Sequence, residues 1–232
     1  MTVHRAANMA YQLGGDAQLL RRLADGWTDN DGTRHPAADV LELVECRTRD
    51  NQPLDVAAIL GPDWDVHQDL RSADRAGSVV AVRRRSGVRI VWSRLQLASR
   101  ASRAGAGVQD RYRRASVLVD RRGPFRLGVQ HDPLRSTGRQ DDARRSALTW
   151  VRRARQAMSR RAAAAGRRLP LRWMYVGDPN RPHHAVRAEL GAPHSHGADV
   201  MTRVWSAGWG RARVSADRLA GTDHHVLTFT TS

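Results

Sequence analysis

The sequence predicts an α/β fold, a four-layer α-β-β-α sandwich of two mainly antiparallel sheets with helices on the outer faces. Three observations lead there. Apolar runs of strand length recur from one end of the chain to the other. Two pairs of these runs are separated by turns too short for anything but an antiparallel reversal. Stretches of helical period fall between the runs. No Gly/Ser- or Pro-rich linker divides the 232 residues, so the expectation is one domain over 1–232.

Taken in order, VHRAANMAY (3–11) reads as a buried strand, and DAQLLRRLADG reads as a helix closed by Gly26. ADVLELVE (38–45) is a second buried strand, with a short helix expected in 52–60 and a strand near Trp64–His67. GSVVAVRR (77–84) and VRIVWS (87–92) flank Arg85 and Ser86 and predict a hairpin. RRASVLVD (113–120) and PFRLGVQH (124–131) predict a second one around Arg121-Arg122-Gly123. From Arg139 to about Arg161 the period is helical, with Ala143, Ala147, Val151, Ala154 and Met158 in one stripe. LRWMYVG (171–177), ADVMTRVW (198–205) and VLTFTT (226–231) read as further strands.

The formal net charge is +16, and every one of the 39 basic residues is arginine. A surface so rich in guanidinium groups attracts polyanions and can grip phosphate in a bidentate way, so nucleic acid, DNA in particular, is the expected partner. No apolar run is long enough to span a membrane, and the N-terminus lacks the features of a secretory signal. A single cysteine, Cys46, reads as an apolar residue at a strand end. A cytoplasmic monomer that does not engage membranes is the expectation.

The chemistry-bearing polar residues sit at strand ends or just beyond them: Asn8, Glu45, His131, Asp178, Asn180, Asp199, Asp223 and His224. Each has a plain structural alternative. Asp178-Pro179-Asn180 alone reads as a turn, Thr222-Asp223-His224 as a loop cap, and Glu45 as the partner of an arginine. Together they supply oxygen ligands for a hard cation, groups that position water, and donors for a phosphorane-like transition state. His183, His184, His194 and His196 form a second cluster, whose spacing fits no zinc motif and reads as an exposed loop.

The blocks AANMAY, ADVLELVE, LGVQHDPL, MYVGDPN and GTDHH, in this order, resemble the endonuclease/exonuclease/phosphatase superfamily. GADVMTRVWSAG and ADRAGSVVAVRR resemble two of its intervening strands, so the match spans nearly the whole chain. The resemblance implies that Glu45, with Asn8 and Asp223, holds a divalent cation, Mg2+ or Mn2+. It implies that Asp178 and Asn180 orient water and phosphate, while His131 and the His224–Asp199 pair contact the scissile group. The usual Asn-Thr-His is Val129-Gln130-His131 here, and Ser-Asp-His is Thr222-Asp223-His224; both keep the reactive side chain. Arg111 and Tyr112 are placed by position only as counterparts of a phosphate-contacting residue and stay outside the core set. The implied activity is metal-dependent phosphodiester hydrolysis, by an endonuclease or exonuclease on DNA. The alternatives are hydrolysis of a small or lipid phosphate ester, or nucleic-acid binding without turnover.

Overall fold

The computed structural model of the chain describes residues 1–9, 17–48, 50–100, 110–131, 140–164, 166, 172–178, 180, 183–192, 194–196, 203–207, 209, 212–217 and 226–231. In chain order, the first part forms β1 (Thr2–Asn8), α1 (Ala17–Asp25), β2 (Trp27–Thr28), β3 (Arg34–His35), β4 (Val40–Val44), α2 (Val56–Leu60), β5 (Trp64–His67), α3 (Ala73–Ala76) and β6 (Ser78–Arg83). There follow β7 (Arg89–Ser99), β8 (Arg111–Asp120), β9 (Gly123–His131), α4 (Gln140–Ala164), β10 (Trp173–Asp178) and α5 (His183–Leu190). The chain continues through β11 (His194–His196), β12 (Arg203–Ala207), β13 (Ala212–Asp217) and β14 (Val226–Thr231). One sheet has the order β13-β14-β1-β4-β6-β5 and the other β11-β12-β10-β9-β8-β7. Each contains a single parallel pair, β1 with β4 and β9 with β10; all its other neighbours are antiparallel.

Strand alternation divides the apolar side chains into layers. Ala6, Val40 and Val44 of the first sheet face Leu127, Val129, Met174 and Val176 of the second, and Phe125, Trp209 and Phe229 fill the same inner layer. The intervening positions Ala7, Leu41 and Leu43 face outward onto Leu19, Leu20 and Leu23 of α1. On the far side, Ala115, Trp173 and Tyr175 pack against Ala147, Trp150, Val151 and Ala154 of α4. The predicted stripe of α4 is buried throughout, and the four-layer sandwich is the one the sequence predicts.

The hairpin expected over 77–92 does not form. β6 is hydrogen-bonded to β4 on one side and β5 on the other, so neither edge is open to β7, which pairs with β8 in the second sheet. Residues 84–88 instead carry the chain across the sandwich. The hairpin of β8 and β9 forms as predicted, with Gly123 at a φ of 104°. The histidines expected in a loop lie on regular elements: His183 and His184 open α5, while His194 and His196 belong to β11. The ribbon of β2 and β3, α3 and β13 have no counterpart in the sequence reading. No described helix is long and apolar enough to cross a membrane.

Polar groups enter the inner layer at the end away from the strand termini just named. His4 Nδ1 lies 2.8 Å from Glu42 Oε1, and its ring stacks on Phe229 at 4.6 Å. Burial raises the Glu42 pKa, against the opposing charge and hydrogen bond of His4. Its second oxygen has no hydrogen-bond partner among the described residues. Nearby, Arg172 binds Asp120 with two bonds of 2.7 and 2.8 Å and lies 5.1 Å over the Trp209 ring.

Gly177, in β10, sits opposite Gln130 of β9 with a φ of 154°; a Cβ there would collide with the Gln130 carbonyl oxygen. Gly177→Ala must therefore separate the central parallel pair, with an expected loss of roughly 3 kcal/mol in denaturant unfolding. Glu42→Gln removes a carboxyl that the fold prefers protonated. The unfolded chain ionises it at lower pH than the folded one, so wild-type stability declines as pH rises above the unfolded pKa, whereas the variant lacks that decline. The stability difference, variant minus wild type, is expected to grow with pH in urea melts from about pH 4 upward.

Candidate active site

The C-terminal ends of the two parallel pairs, one in each sheet, meet at one end of the sandwich. Asn8 ends β1, Glu45 follows β4, His131 ends β9 and Asp178 ends β10. Asn8, His131 and Asp178 have the parity of Ala6, Val129 and Val176, so alternation directs all three to the inner layer. Continued past Val44, alternation would send Glu45 outward with Leu43. A left-handed backbone at Glu45, φ 56°, ends the strand instead, and the amide of Arg47 bonds back to the Glu45 carbonyl at 2.7 Å. A non-glycine residue in that region carries strain, a frequent mark of functional positions. Asn180, φ 48°, is the second such residue here, and its amide donates to Asp178 Oδ1 at 2.9 Å, forming an Asx turn.

His131 is the hub of a connected polar cluster. Its Nδ1 lies 3.1 Å from Glu45 Oε1, and Asn180 Nδ2 is 3.2 Å from its Nε2. Asp178 Oδ2 lies 3.7 Å from Nε2 and accepts from Asn8 Nδ2 at 3.4 Å. A neutral imidazole with its proton on Nδ1 donates to Glu45 and accepts from Asn180, and the Arg111 guanidinium beside Nδ1 is then a charged neighbour and not a hydrogen-bond donor to it. Burial pushes the His131 pKa down; Glu45 opposes this, while Arg111 and Arg47 reinforce it. Burial would raise the Glu45 pKa, but the hydrogen bond and charge of His131, with Arg47 and Arg111, hold the carboxyl well below the usual carboxylate range. Arg47 donates to Glu45 Oε1 at 2.7 Å. The neighbouring Cys46 is fully buried, and its thiol pKa is pushed up by burial, which leaves it inert.

Arg111, kept outside the core set on sequence grounds, belongs to the cluster: its guanidinium comes within 3.1 Å of His131 Nδ1. It opens β8 two strands away from β10, a placement that only the sheet order reveals. Arg47 was not singled out at all. Its signal is its position two residues beyond Glu45, in a chain with arginine at many such positions. Together with Glu45, Asp74, Tyr112 and His131, these two arginines line a recess of about 20 Å3, room for roughly one water-sized group. Five of the eight predicted residues are thus gathered in one place. Asp199, Asp223 and His224 lie outside the described residues.

The donors suit a hard divalent cation in a restricted sense. Glu45 offers an ionised carboxylate whose recorded contacts fall on Oε1, and Asn8 brings an amide at the neighbouring strand end. No group of three or more His, Cys, Asp or Glu side chains among the described residues is arranged as a metal cage.

No protein-family model matches the sequence, and no curated protein matches it. Solved structures do match the fold. The endonuclease/exonuclease/phosphatase from Bacteroides vulgatus is 12% identical with a TM-score of 0.62, covering 100% of this chain and 99% of that one. The human Nocturnin catalytic domain with bound sulfate is 14% identical, with a TM-score of 0.58 and coverage of 100% and 94%. A mannosyl-6-phosphatase from Bacteroides thetaiotaomicron is 12% identical, with a TM-score of 0.58 and complete coverage of both chains. The chain therefore shares its overall fold with these solved structures.

Proposed function

We propose that the chain is a metal-dependent phosphoric ester hydrolase, and most specifically a nuclease acting on DNA. One observation carries the reading: Asn8, Glu45, His131, Asp178 and Asn180, from both sheets, converge in a single hydrogen-bonded cluster. Glu45 and Asn8, with Asp223, would hold a magnesium or manganese ion, which supplies charge neutralisation to a bound phosphate. Asp178 accepts two hydrogen bonds that fix its carboxylate, leaving it poised to orient an attacking water. Asn180 and Arg111 bring N–H donors to the two ring nitrogens of His131, and turned from there they would stabilise negative charge on the phosphoryl oxygens. His131, with Nδ1–H held by Glu45, keeps Nε2 as the free end for proton transfer once Asn180 turns to phosphate. The His224–Asp199 pair would complete the set.

DNA is favoured over other esters by the charge of +16 borne wholly by arginine. Hydrolysis of a phosphate monoester is the second reading, supported by the likeness to a mannosyl-6-phosphatase. Purified protein incubated with plasmid, linear and single-stranded DNA, with Mg2+, Mn2+ or chelator, separates the two. Metal-dependent nicking supports the nuclease. Turnover of p-nitrophenyl phosphate but no DNA cleavage supports the monoesterase, and DNA binding with no hydrolysis under any metal overturns both.

Within the nuclease reading, Asp178→Ala should lower kcat by roughly 10²–10⁴-fold while leaving DNA affinity in chelator intact. Glu45→Ala should raise the metal concentration for half-maximal activity; an unchanged metal requirement counts against its role. In the metal-free protein the His131 ring should titrate below the ordinary histidine range. Because Arg111 helps depress it, Arg111→Gln should move that titration to higher pH in an NMR experiment.

A further inference from the structure

A second recess lies on the opposite face of the second sheet. Strand alternation separates the two: Val129 and His131 of β9 look inward, while Arg126, Gly128 and Gln130 look toward α4. Between α4 and the strands β7, β8 and β9 lies a cleft of about 390 Å3, within the range of small-molecule sites. Val117 of β8 is the cross-strand partner of both Trp92 in β7 and Arg126 in β9, so these two flank it on one face, about 10 Å apart.

The lining has an unusual composition. It contains four arginines, Arg113, Arg126, Arg145 and Arg153, and no acidic residue. Arg145 is held by Asp142 at 2.5 Å, and Arg113 is held by Gln96, Gln130 and Ser146. Arg126 is half-buried, and among the described residues another cation, Arg160, acts on it; burial and that like charge both push its pKa down. Half-burying a guanidinium beside a like charge is costly unless an anion joins it. Trp92, in the lining, is 43% exposed on the outermost strand of the sheet, and its ring is stacked on no other among the described residues.

We infer that this cleft binds a nucleotide unit, its base stacked on Trp92 and its phosphate held between Arg126 and Arg153, as a secondary nucleic-acid site away from the catalytic cluster. Guanidinium groups match phosphate geometry, and an exposed indole offers a face to any base. A bilayer surface is too flat to enter a cleft walled by a helix, and an acidic peptide has no ring system to place on the indole. The inference stands independently of hydrolysis at the other face.

The test measures binding in chelator, where no hydrolysis occurs. Labelled oligothymidylate and thymidine 5′-phosphate are titrated against the wild type, Trp92→Ala and the double variant Arg126→Gln/Arg153→Gln, over a series of salt concentrations. Trp92→Ala should weaken oligonucleotide binding about tenfold, the effect of one lost base stack. The double variant should reduce the salt slope by roughly 0.7, one single-strand phosphate contact. Thermal midpoints and hydrolysis of bis-p-nitrophenyl phosphate with Mg2+ should match the wild type, showing that both variants fold. Much tighter binding of the oligonucleotide than of the mononucleotide assigns the site to a strand, and equal binding assigns it to free nucleotides; both uphold the base-plus-phosphate chemistry. Affinity and salt slope unchanged in both variants, or competition by polyglutamate as effective as by oligothymidylate, would overturn it.

Discussion

Two packed sheets ordinarily stand about 10 Å apart, too far for short side chains on facing strands to touch. Asn8 and Asp178 are among the shortest polar side chains, yet they bond across the gap, as Glu45 and His131 do beside them. Much of the site depends on the sheets converging at that end. The residues beneath are small or β-branched: Ala6, Val44, Val129 and Val176. At the other end, His4, Phe125, Trp209 and Phe229 fill the layer with rings. This gradient of side-chain size wedges the sandwich, and the polar cluster occupies its narrow edge.

Much of this was legible in the sequence. The α4 stripe at three- and four-residue steps reported a helix with one buried face, and Gly123 between two apolar runs reported a hairpin. Strand ends bearing Asn8, Glu45, His131 and Asp178 could be read because period-two patterns stop where they do. What could not be read depends on pairing between distant segments. The run 77–92 has all the local signs of a hairpin, and only the competing claims of β4 and β5 on β6 exclude it. β13 (ARVSAD) alternates small apolar with polar residues, a pattern too short and weakly apolar to read as a strand, and it pairs along the edge that β14 offers. Arg111 and Arg47 were hidden for another reason: in a chain where all basic residues are arginine, type alone singles out none of them.

The electrostatics of the cluster follow from the same crowding. One carboxylate, Glu45, answers two guanidinium groups and an imidazole, so it stays ionised although mostly enclosed. Arg47 and Arg111 share the recess with Asp74, and Asp178 lies at the other ring nitrogen of His131. Under the proposed function that recess would take the phosphate, with Glu45 among the groups that would hold a cation to offset its charge. The left-handed turn at Glu45 directs the carboxylate toward that space, away from the leucine-lined outer face.

The order of strands has a consequence for assembly of the chain. The second sheet is built from β7 to β12, a continuous stretch of sequence, so its pairings are comparatively local. The first is not: β1 lies between β4 and β14, and Thr2 pairs with Thr231. During synthesis, the early part of the chain emerges with the edge of β1 open, and that edge must remain so until the far end of the chain arrives. Asn8 and Glu45 ride on that sheet, and premature pairing of the open edge of β1 with another copy of the chain is the characteristic error this topology invites.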